Sequence, residues 1–183
     1  AILPQNPTAP EGLTVRELVS YGRAPYKTSF FSRTTAKDRE MIDWALTETN
    51  MMEFQHRPIG AMSGGQRQRA WIAMAIAQDT EILFLDEPTS FLDVAHQMEV
   101  LRLVQHLNEA YGKTIIMVLH ELNQAARFAH CLVGMRRWLR HTIFRSIICM
   151  IGLRRAASCA SASTMRTRRS TSSRCRRQSP TSL

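Results

Sequence analysis

An adjacent pair of acids, Asp86 and Glu87, offers the clearest chemistry in this 183-residue chain. The pair follows the apolar run ILFL at 82–85, which predicts a strand buried on both faces. In open α/β sheets, ligands bind at the carboxyl ends of the strands, where both acids would lie. Asp86 is therefore placed to hold a hydrated Mg²⁺, and Glu87 to orient and polarise an attacking water. Taken alone, such a pair after a strand is more often only a turn.

A second candidate site is the sequence Ser63-Gly64-Gly65-Gln66. Ser63 and Gln66 form an S-x-x-Q capping box, which predicts a helix from about Gly64 to Ala77. Two glycines in a first turn cost roughly 1 kcal/mol each relative to alanine, so a close approach by an anion is a reason to keep them. The free N–H groups and the macrodipole of a helix start would attract a phosphate. Plain capping remains the alternative when this turn is considered alone.

These two groups and a third motif together are far more specific than any one of them. The motifs are SGGQ at 63–66, ILFLDEP at 82–88 and SFLD at 90–93. They resemble the signature motif, the Walker B motif with its glutamate, and the D-loop of ATP-binding cassette (ABC) transporter ATPases. In that family two subunits meet head to tail, and each ATP lies between the Walker A loop of one subunit and the signature helix of the other. The resemblance therefore implies ATP contacts at 63–66, a link between the two sites at Asp93, Mg²⁺ at Asp86 and a general base at Glu87.

The same resemblance gives roles to Gln5 and His120. The sequence AILPQ at 1–5 looks like the end of a strand. Gln5 at that strand end corresponds to the family's Q-loop glutamine, which touches the metal or the attacking water and hinges toward the membrane partner. His120 follows a predicted strand at 114–119 and corresponds to the switch histidine, which contacts the γ-phosphate. Without the resemblance, both would be ordinary structural residues. GLTVRELVSYGRAPY at 12–26 and LHELNQAARFAH at 119–130 are similar to importers of the iron-siderophore (ferric enterobactin-like), haem and cobalamin type.

The elements needed to position these residues predict an α/β fold. Apolar spacing predicts helices at 15–20, 35–49 and 94–110, with Asp38 on the outer face of the second. The order strand, helix, strand at 82–119 predicts a parallel βαβ unit. The resemblance implies an incomplete RecA-like P-loop NTPase core with an inserted helical subdomain. We expect a partial ABC ATPase domain at 1–135, with the helical subdomain at about 11–77 and the Walker B and switch-histidine core at about 78–135.

Composition separates the last 48 residues from the rest. Residues 1–135 carry a formal charge of −3, whereas residues 136–183 hold 12 Arg and no acids and carry +12. One interpretation is an arm for nucleic acid or anionic membrane. The preferred one is a gene segment translated out of frame, which would leave residues 136–183 disordered. The four cysteines suggest neither a zinc site nor a disulfide framework, and the late apolar run at 147–153 is too short to span a membrane.

No G-x-x-x-x-G-K-[ST] sequence occurs, so we expect a family member shortened at its N-terminus and inactive alone. The resemblance implies a parent function of ATP hydrolysis driving import of an iron-siderophore complex. Such a subunit would lie on the cytoplasmic face of the inner membrane and pair with a second ATPase subunit and a transmembrane permease. A substrate-binding protein would act with it indirectly. The alternatives are a non-transport ABC protein acting on DNA or ribosomes, for which the chain lacks a coiled-coil insertion, and an inactive remnant.

Overall fold

The computed structural model describes residues 1–27, 34–139 and 142–151. Its strands are β1 (Ile2–Leu3), β2 (Ile82–Asp86), β3 (Thr114–Leu119), β4 (Cys131–Leu139) and β5 (Thr142–Ile151). Its α-helices are α1 (Val15–Tyr21), α2 (Ala36–Glu48), α3 (Gly64–Ala77), α4 (Val94–Tyr111) and α5 (Leu122–Phe128). Short 3₁₀ helices lie at Ala24–Tyr26, Met52–Phe54 and Ile59–Ala61.

The five strands form one sheet in the order β1-β2-β3-β5-β4. Strands β1, β2 and β3 are parallel, and α4 connects β2 to β3, so the predicted βαβ unit is confirmed. Parallel neighbours bring their carboxyl ends to one edge. In the register, Leu3 pairs with Leu85 and Asp86 with Val118. The residues that follow β1, β2 and β3 therefore emerge side by side.

Strand β2 is less buried than its apolar sequence predicted. Leu83 and Leu85 are buried, but Ile82 is 53% exposed and Phe84 is half-buried. Alternate residues of a strand point to opposite faces of the sheet. The described part of the chain thus covers one face of β2 more fully than the other, and the expectation of burial on both faces was wrong.

Helices α1, α2 and α3 pack together before the chain enters β2. Each begins with a capping box, in which the N-cap side chain and the residue three positions later satisfy each other's backbone N–H groups. Helix α3 is buried along most of its length, at Ala70, Trp71, Ile72, Ala73, Ala75, Ile76 and Ala77. This packing fixes the axis of α3 and therefore the position of its first turn.

Asp38 does not face outward as predicted. It is 5% exposed, and its carboxylate accepts a hydrogen bond from Arg23, whose own guanidinium also donates to the carbonyl of Ala77. A charged residue is buried when a partner of opposite charge comes with it. That partner lies 15 residues earlier, outside the helix whose periodicity was used for the prediction.

The structure has strands in the first part of the segment that was expected to be disordered from residue 136 onward. Strands β4 and β5 pair antiparallel from Cys131 with Met150 to Leu139 with Thr142, and β5 pairs with β3. The segment TIFRSIICMI at 142–151 is rich in β-branched and aromatic residues, which favour strands. An average over the Arg- and Ser-rich tail concealed this local propensity. Residues 152–183 lie outside the described residues, so the expectation stays a prediction there.

Candidate functional site

Glu87 lies just beyond β2 in a strained backbone conformation. Its φ of 48° falls in the left-handed region, which costs a residue with a side chain about 1–2 kcal/mol. The preceding Leu83 and Leu85 are buried and anchor the strand. The strain is sustained by the surrounding contacts, and it turns the carboxylate of Glu87 toward the ends of the neighbouring strands.

Three side chains meet the Glu87 carboxylate. The amide of Gln5 and the hydroxyl of Ser90 both donate to its Oε2, the latter at 2.8 Å. Nε2 of His120 lies within hydrogen-bonding distance of Oε1. The side chain of Glu87 is 15% exposed, whereas that of His120 is 50% exposed. The structure therefore brings the three residues with predicted catalytic roles into direct contact, with His120 on the solvent side.

A cavity of about 160 Å³ opens beside this carboxylate. Its lining includes Glu87, Ser90, Gln97 and His120, together with Thr89, Phe91, Leu119 and Glu121. The space is large enough for several water molecules and is bordered by polar groups that could hold them. A carboxylate and an imidazole facing one small polar cavity can orient a water and accept its proton.

The predicted helix at 63–66 begins as expected, but its glycine has a different contact. Ser63 is the N-cap of α3, and its hydroxyl accepts from the Gln66 N–H at 3.3 Å. A Cβ built on Gly65 would lie 2.1 Å from Cδ2 of His96, and one built on Gly64 would lie 3.5 Å from Leu92. Gly65 thus leaves room for the close packing of an imidazole ring, a contact that the sequence did not reveal. Anion approach remains a prediction.

Asp93 is the N-cap of α4 and holds His96. Its carboxylate accepts from the backbone N–H of His96 at 2.9 Å and lies 2.8 Å from the ring Nδ1. The backbone hydrogen bond from His96 and then the ring contact hold the pKa of Asp93 below its ordinary value. Two residues earlier, Phe91 has a φ of 62° and is 85% exposed. The segment at 90–93, which we term the D-loop, therefore touches the Glu87 group at one end and the start of α3 at the other.

The structure separates the predicted site residues into two groups joined by the D-loop. Gln5, Glu87 and His120 form one group, next to Asp86 at the end of β2; Ser63, Gly64, Gly65 and Gln66 form the other. Three further residues were missed: Ser90, His96 and Gln97. For Ser90 a local signal existed, because a hydroxyl three residues after Glu87 in a turn can reach back to it, and the backbone N–H of Ser90 also bonds the Glu87 carbonyl at 3.1 Å.

Asp86 and Gln5 were the predicted metal ligands. Within residues 1–27, 34–139 and 142–151, no group of three or more His, Cys, Asp or Glu side chains could share a metal ion. Mg²⁺ in nucleotide enzymes is commonly held by one or two carboxylates together with waters and phosphates. A single half-buried carboxylate at Asp86, at the end of β2, fits that pattern.

None of the described helices is both long and apolar enough to cross a bilayer.

Comparison with known proteins agrees with these observations. Residues 1–90 match the ABC transporter family. The chain is 59% identical over 137 residues to the iron(3+)-hydroxamate import ATP-binding protein FhuC of Bacillus subtilis, covering 75% of this chain and 51% of that protein. It is 45% identical over 135 residues to the ferric enterobactin transport ATP-binding protein FepC of Escherichia coli, covering 74% and 49%.

A structural relative is a bacterial ABC transporter cassette solved as a dimer. The TM-score is 0.57 at 29% identity, covering 69% of this chain and 54% of that one, and the cassette was also solved with ADP and Pi. The chain spans about half the length of the curated relatives it matches. The three motifs, the family match and the identity to two ATP-binding proteins lead to one conclusion: this chain belongs to the family of ABC transporter ATP-binding proteins.

Proposed function

We propose that this chain is part of an ATP-hydrolysing subunit that drives import of an iron-siderophore complex. The observation that carries the proposal is the contact of Gln5, Ser90 and His120 with the carboxylate of Glu87. A carboxylate held by three partners at the carboxyl end of a parallel strand is oriented before any substrate arrives. Such orientation contributes to catalysis, because the reacting groups need not be ordered during the reaction.

In this proposal Glu87 is the general base that takes a proton from the attacking water. Gln5 orients that water from the side of β1. The side chain of His120 is more exposed than that of Gln5, and His120 faces the γ-phosphate. Asp86 would hold Mg²⁺, which when bound neutralises charge developing on the phosphates. Ser90 fixes the rotamer of Glu87 through its 2.8 Å hydrogen bond.

The start of α3 serves the nucleotide of a second subunit in this proposal. Ser63, Gly64, Gly65 and Gln66 present a capped helix N-terminus, where backbone N–H groups favour an anion. Asp93 and the rest of the D-loop connect this helix start to the Glu87 group of the same chain. A head-to-tail dimer therefore gives each ATP one group from each subunit.

A groove beside the Gln5 loop supports the permease as membrane partner. A cavity of about 560 Å³ is lined by residues 7–12 and 58–61 together with Arg67 and Trp71. The loop at 7–12 begins two residues after Gln5, so a permease segment in this groove would contact a loop close to a site residue. The subunit would then lie at the cytoplasmic face of the membrane. The iron-siderophore substrate is proposed from the relatives, two of which are named for import of iron(3+)-hydroxamate and ferric enterobactin.

The test uses a fused subunit, in which the Walker A segment of the Bacillus subtilis relative precedes Ala1 and all 183 residues are retained. Glu87→Gln should keep ATP binding and lower hydrolysis at least about 100-fold, because the amide keeps the shape but cannot take a proton. Glu81→Gln is the matched control, since Glu81 is exposed and lies just before the same strand. Equal hydrolysis by Glu87→Gln and the unaltered fused subunit would refute the assigned base.

A further inference from the structure

Two glutamines connect the D-loop to the helix that follows His120. Nε2 of Gln97 donates to the carbonyl of Leu92 at 3.0 Å, and Nε2 of Gln124 donates to Oε1 of Gln97 at 2.6 Å. Gln124 lies on α5, which begins two residues after His120. A continuous hydrogen-bonded path thus runs from α5 to the backbone of the D-loop.

The position of α5 fixes one end of this path. Ala125, the neighbour of Gln124, is buried, and so is Phe128 one turn later. Gln124 is therefore carried by a packed helix, and Gln97 lines the same cavity as Glu87 and His120. A shift of the segment at 120–124 would move the donor of the 2.6 Å hydrogen bond.

The D-loop packs only in part against the core, through the partly buried Leu92. Phe91 is 85% exposed and has a left-handed backbone. On the far side of the D-loop, Asp93 holds His96 against Gly65 at the start of α3. The D-loop is consequently held between α5 and α3 by a few side chains.

The contacts of Gln97 differ from those of an ordinary helix glutamine. Gln105, on the same helix, donates at 2.7 Å to Glu109 one turn later, and both are on the surface of α4. Gln97 instead reaches back to a carbonyl outside α4 and accepts from a different helix. Its contacts join three segments of the chain.

We propose that Gln97 and Gln124 are positioning residues that tie the D-loop to the His120 segment, so that a change at His120 reaches the start of α3. Any effect of this link on the rate of hydrolysis rests on the proposed function. The physical link itself is a property of the chain and can be tested without nucleotide.

The first experiment measures amide hydrogen exchange of the full 183-residue chain. Gln124→Glu keeps the size of the side chain but cannot donate to Gln97. We expect protection of the amides at 90–96 to fall about fivefold, the effect of one lost hydrogen bond, and Gln124→Ala to give the same result. Gln105→Ala is the control and should leave these amides unchanged. Unchanged exchange in Gln124→Glu, or an equal effect of Gln105→Ala, would overturn the proposal.

The second experiment measures steady-state hydrolysis by the fused subunit. Gln97→Ala and Gln124→Glu should each lower kcat about fivefold with the Kd for ATP unchanged, and the double variant should be no slower than either. If Glu87→Gln abolishes hydrolysis while both glutamine variants keep full kcat, the link is wrong and the proposed function stands. If the unaltered fused subunit hydrolyses no ATP, the proposed function fails, and exchange of the amides alone decides the link.

Discussion

Removal of the Asp38 carboxylate should be among the most damaging single changes in this chain. Oδ1 of Asp38 accepts from Nε of Arg23 at 2.9 Å, and Oδ2 accepts from the hydroxyl and backbone N–H of Thr35 at 2.8 and 3.1 Å. The two charged side chains are 7% and 5% exposed. Arg23 also donates to the carbonyl of Ala77 at 2.9 Å. One carboxylate therefore joins the start of α2 to the segments after α1 and at the end of α3.

Asp38→Ala would leave the buried guanidinium of Arg23 without its counter-charge. Breaking a buried pair on one side typically costs about 3–5 kcal/mol. The variant also removes half of the capping box of α2. We expect a loss of about 4 kcal/mol in the free energy of unfolding at pH 7, measured by urea denaturation of the 183-residue chain followed by circular dichroism.

The same pair gives a pH dependence with a definite sign. The hydrogen bond from Arg23, followed by that from Thr35, lowers the pKa of Asp38 from 3.8 to about 2. A depressed carboxyl pKa adds stability above the unfolded pKa, and this stability is lost as the pH falls through the folded pKa. The shift corresponds to about 2 kcal/mol. The difference in stability between the unaltered chain and Asp38→Ala should therefore shrink by about that amount from pH 5 to pH 2.

Asp43→Ala is the matched control on the same helix. Asp43 pairs with Arg16 at 2.7 Å, but the two side chains are 49% and 33% exposed. Solvent screens such a pair, and its loss should cost less than about 1 kcal/mol. The argument from burial would be refuted if Asp38→Ala were no more costly than Asp43→Ala. It would also be refuted if the difference in stability between the unaltered chain and Asp38→Ala did not change between pH 5 and pH 2.

Two glycine substitutions test packing elsewhere. A Cβ on Gly22 would lie 2.2 Å from the carbonyl of Met74, so Gly22→Ala should cost about 1–3 kcal/mol in urea denaturation, whereas Gly60→Ala, with nothing within 4 Å, should be nearly neutral. Gly65→Ala should displace the ring of His96 and impair ATP-dependent dimerisation of the fused subunit, and adding His96→Ala should restore it. A double variant that stays impaired would show instead that the helix start itself tolerates no methyl group there.

Local sequence signals predicted the bounds of several elements well. Helix α3 was expected from about Gly64 to Ala77 and is found there, because its capping box is complete within four residues. Helix α4 ends at Tyr111, one residue later than expected, and Gly112, with a φ of 62°, is its left-handed C-cap. These signals depend on residues that are close in sequence, so no tertiary information was needed to interpret them.

The failures arose where distant residues decide the outcome. The outward orientation predicted for Asp38 followed from its charge and helix position, and Arg23 reverses it. For Gly65, the sequence did not reveal the packing of His96, 31 residues away in sequence, and anion approach there stays a prediction. In each case the sequence named a local property correctly, but a contact between two elements determined the position of the side chain.

The Glu87 group follows from strand register more than from any single residue. Gln5 comes two residues after Leu3, and Glu87 two residues after its partner Leu85. His120 comes two residues after Val118, the partner of Asp86. Because parallel strands end at one edge, this register brings Gln5 and His120, 115 positions apart in sequence, to the carboxylate of Glu87. A one-residue slip of β1 would turn every side chain of that strand to the opposite face. Strand β1 has only two residues, so its register could not be predicted from periodicity, and the contact between Gln5 and Glu87 itself helps to fix it.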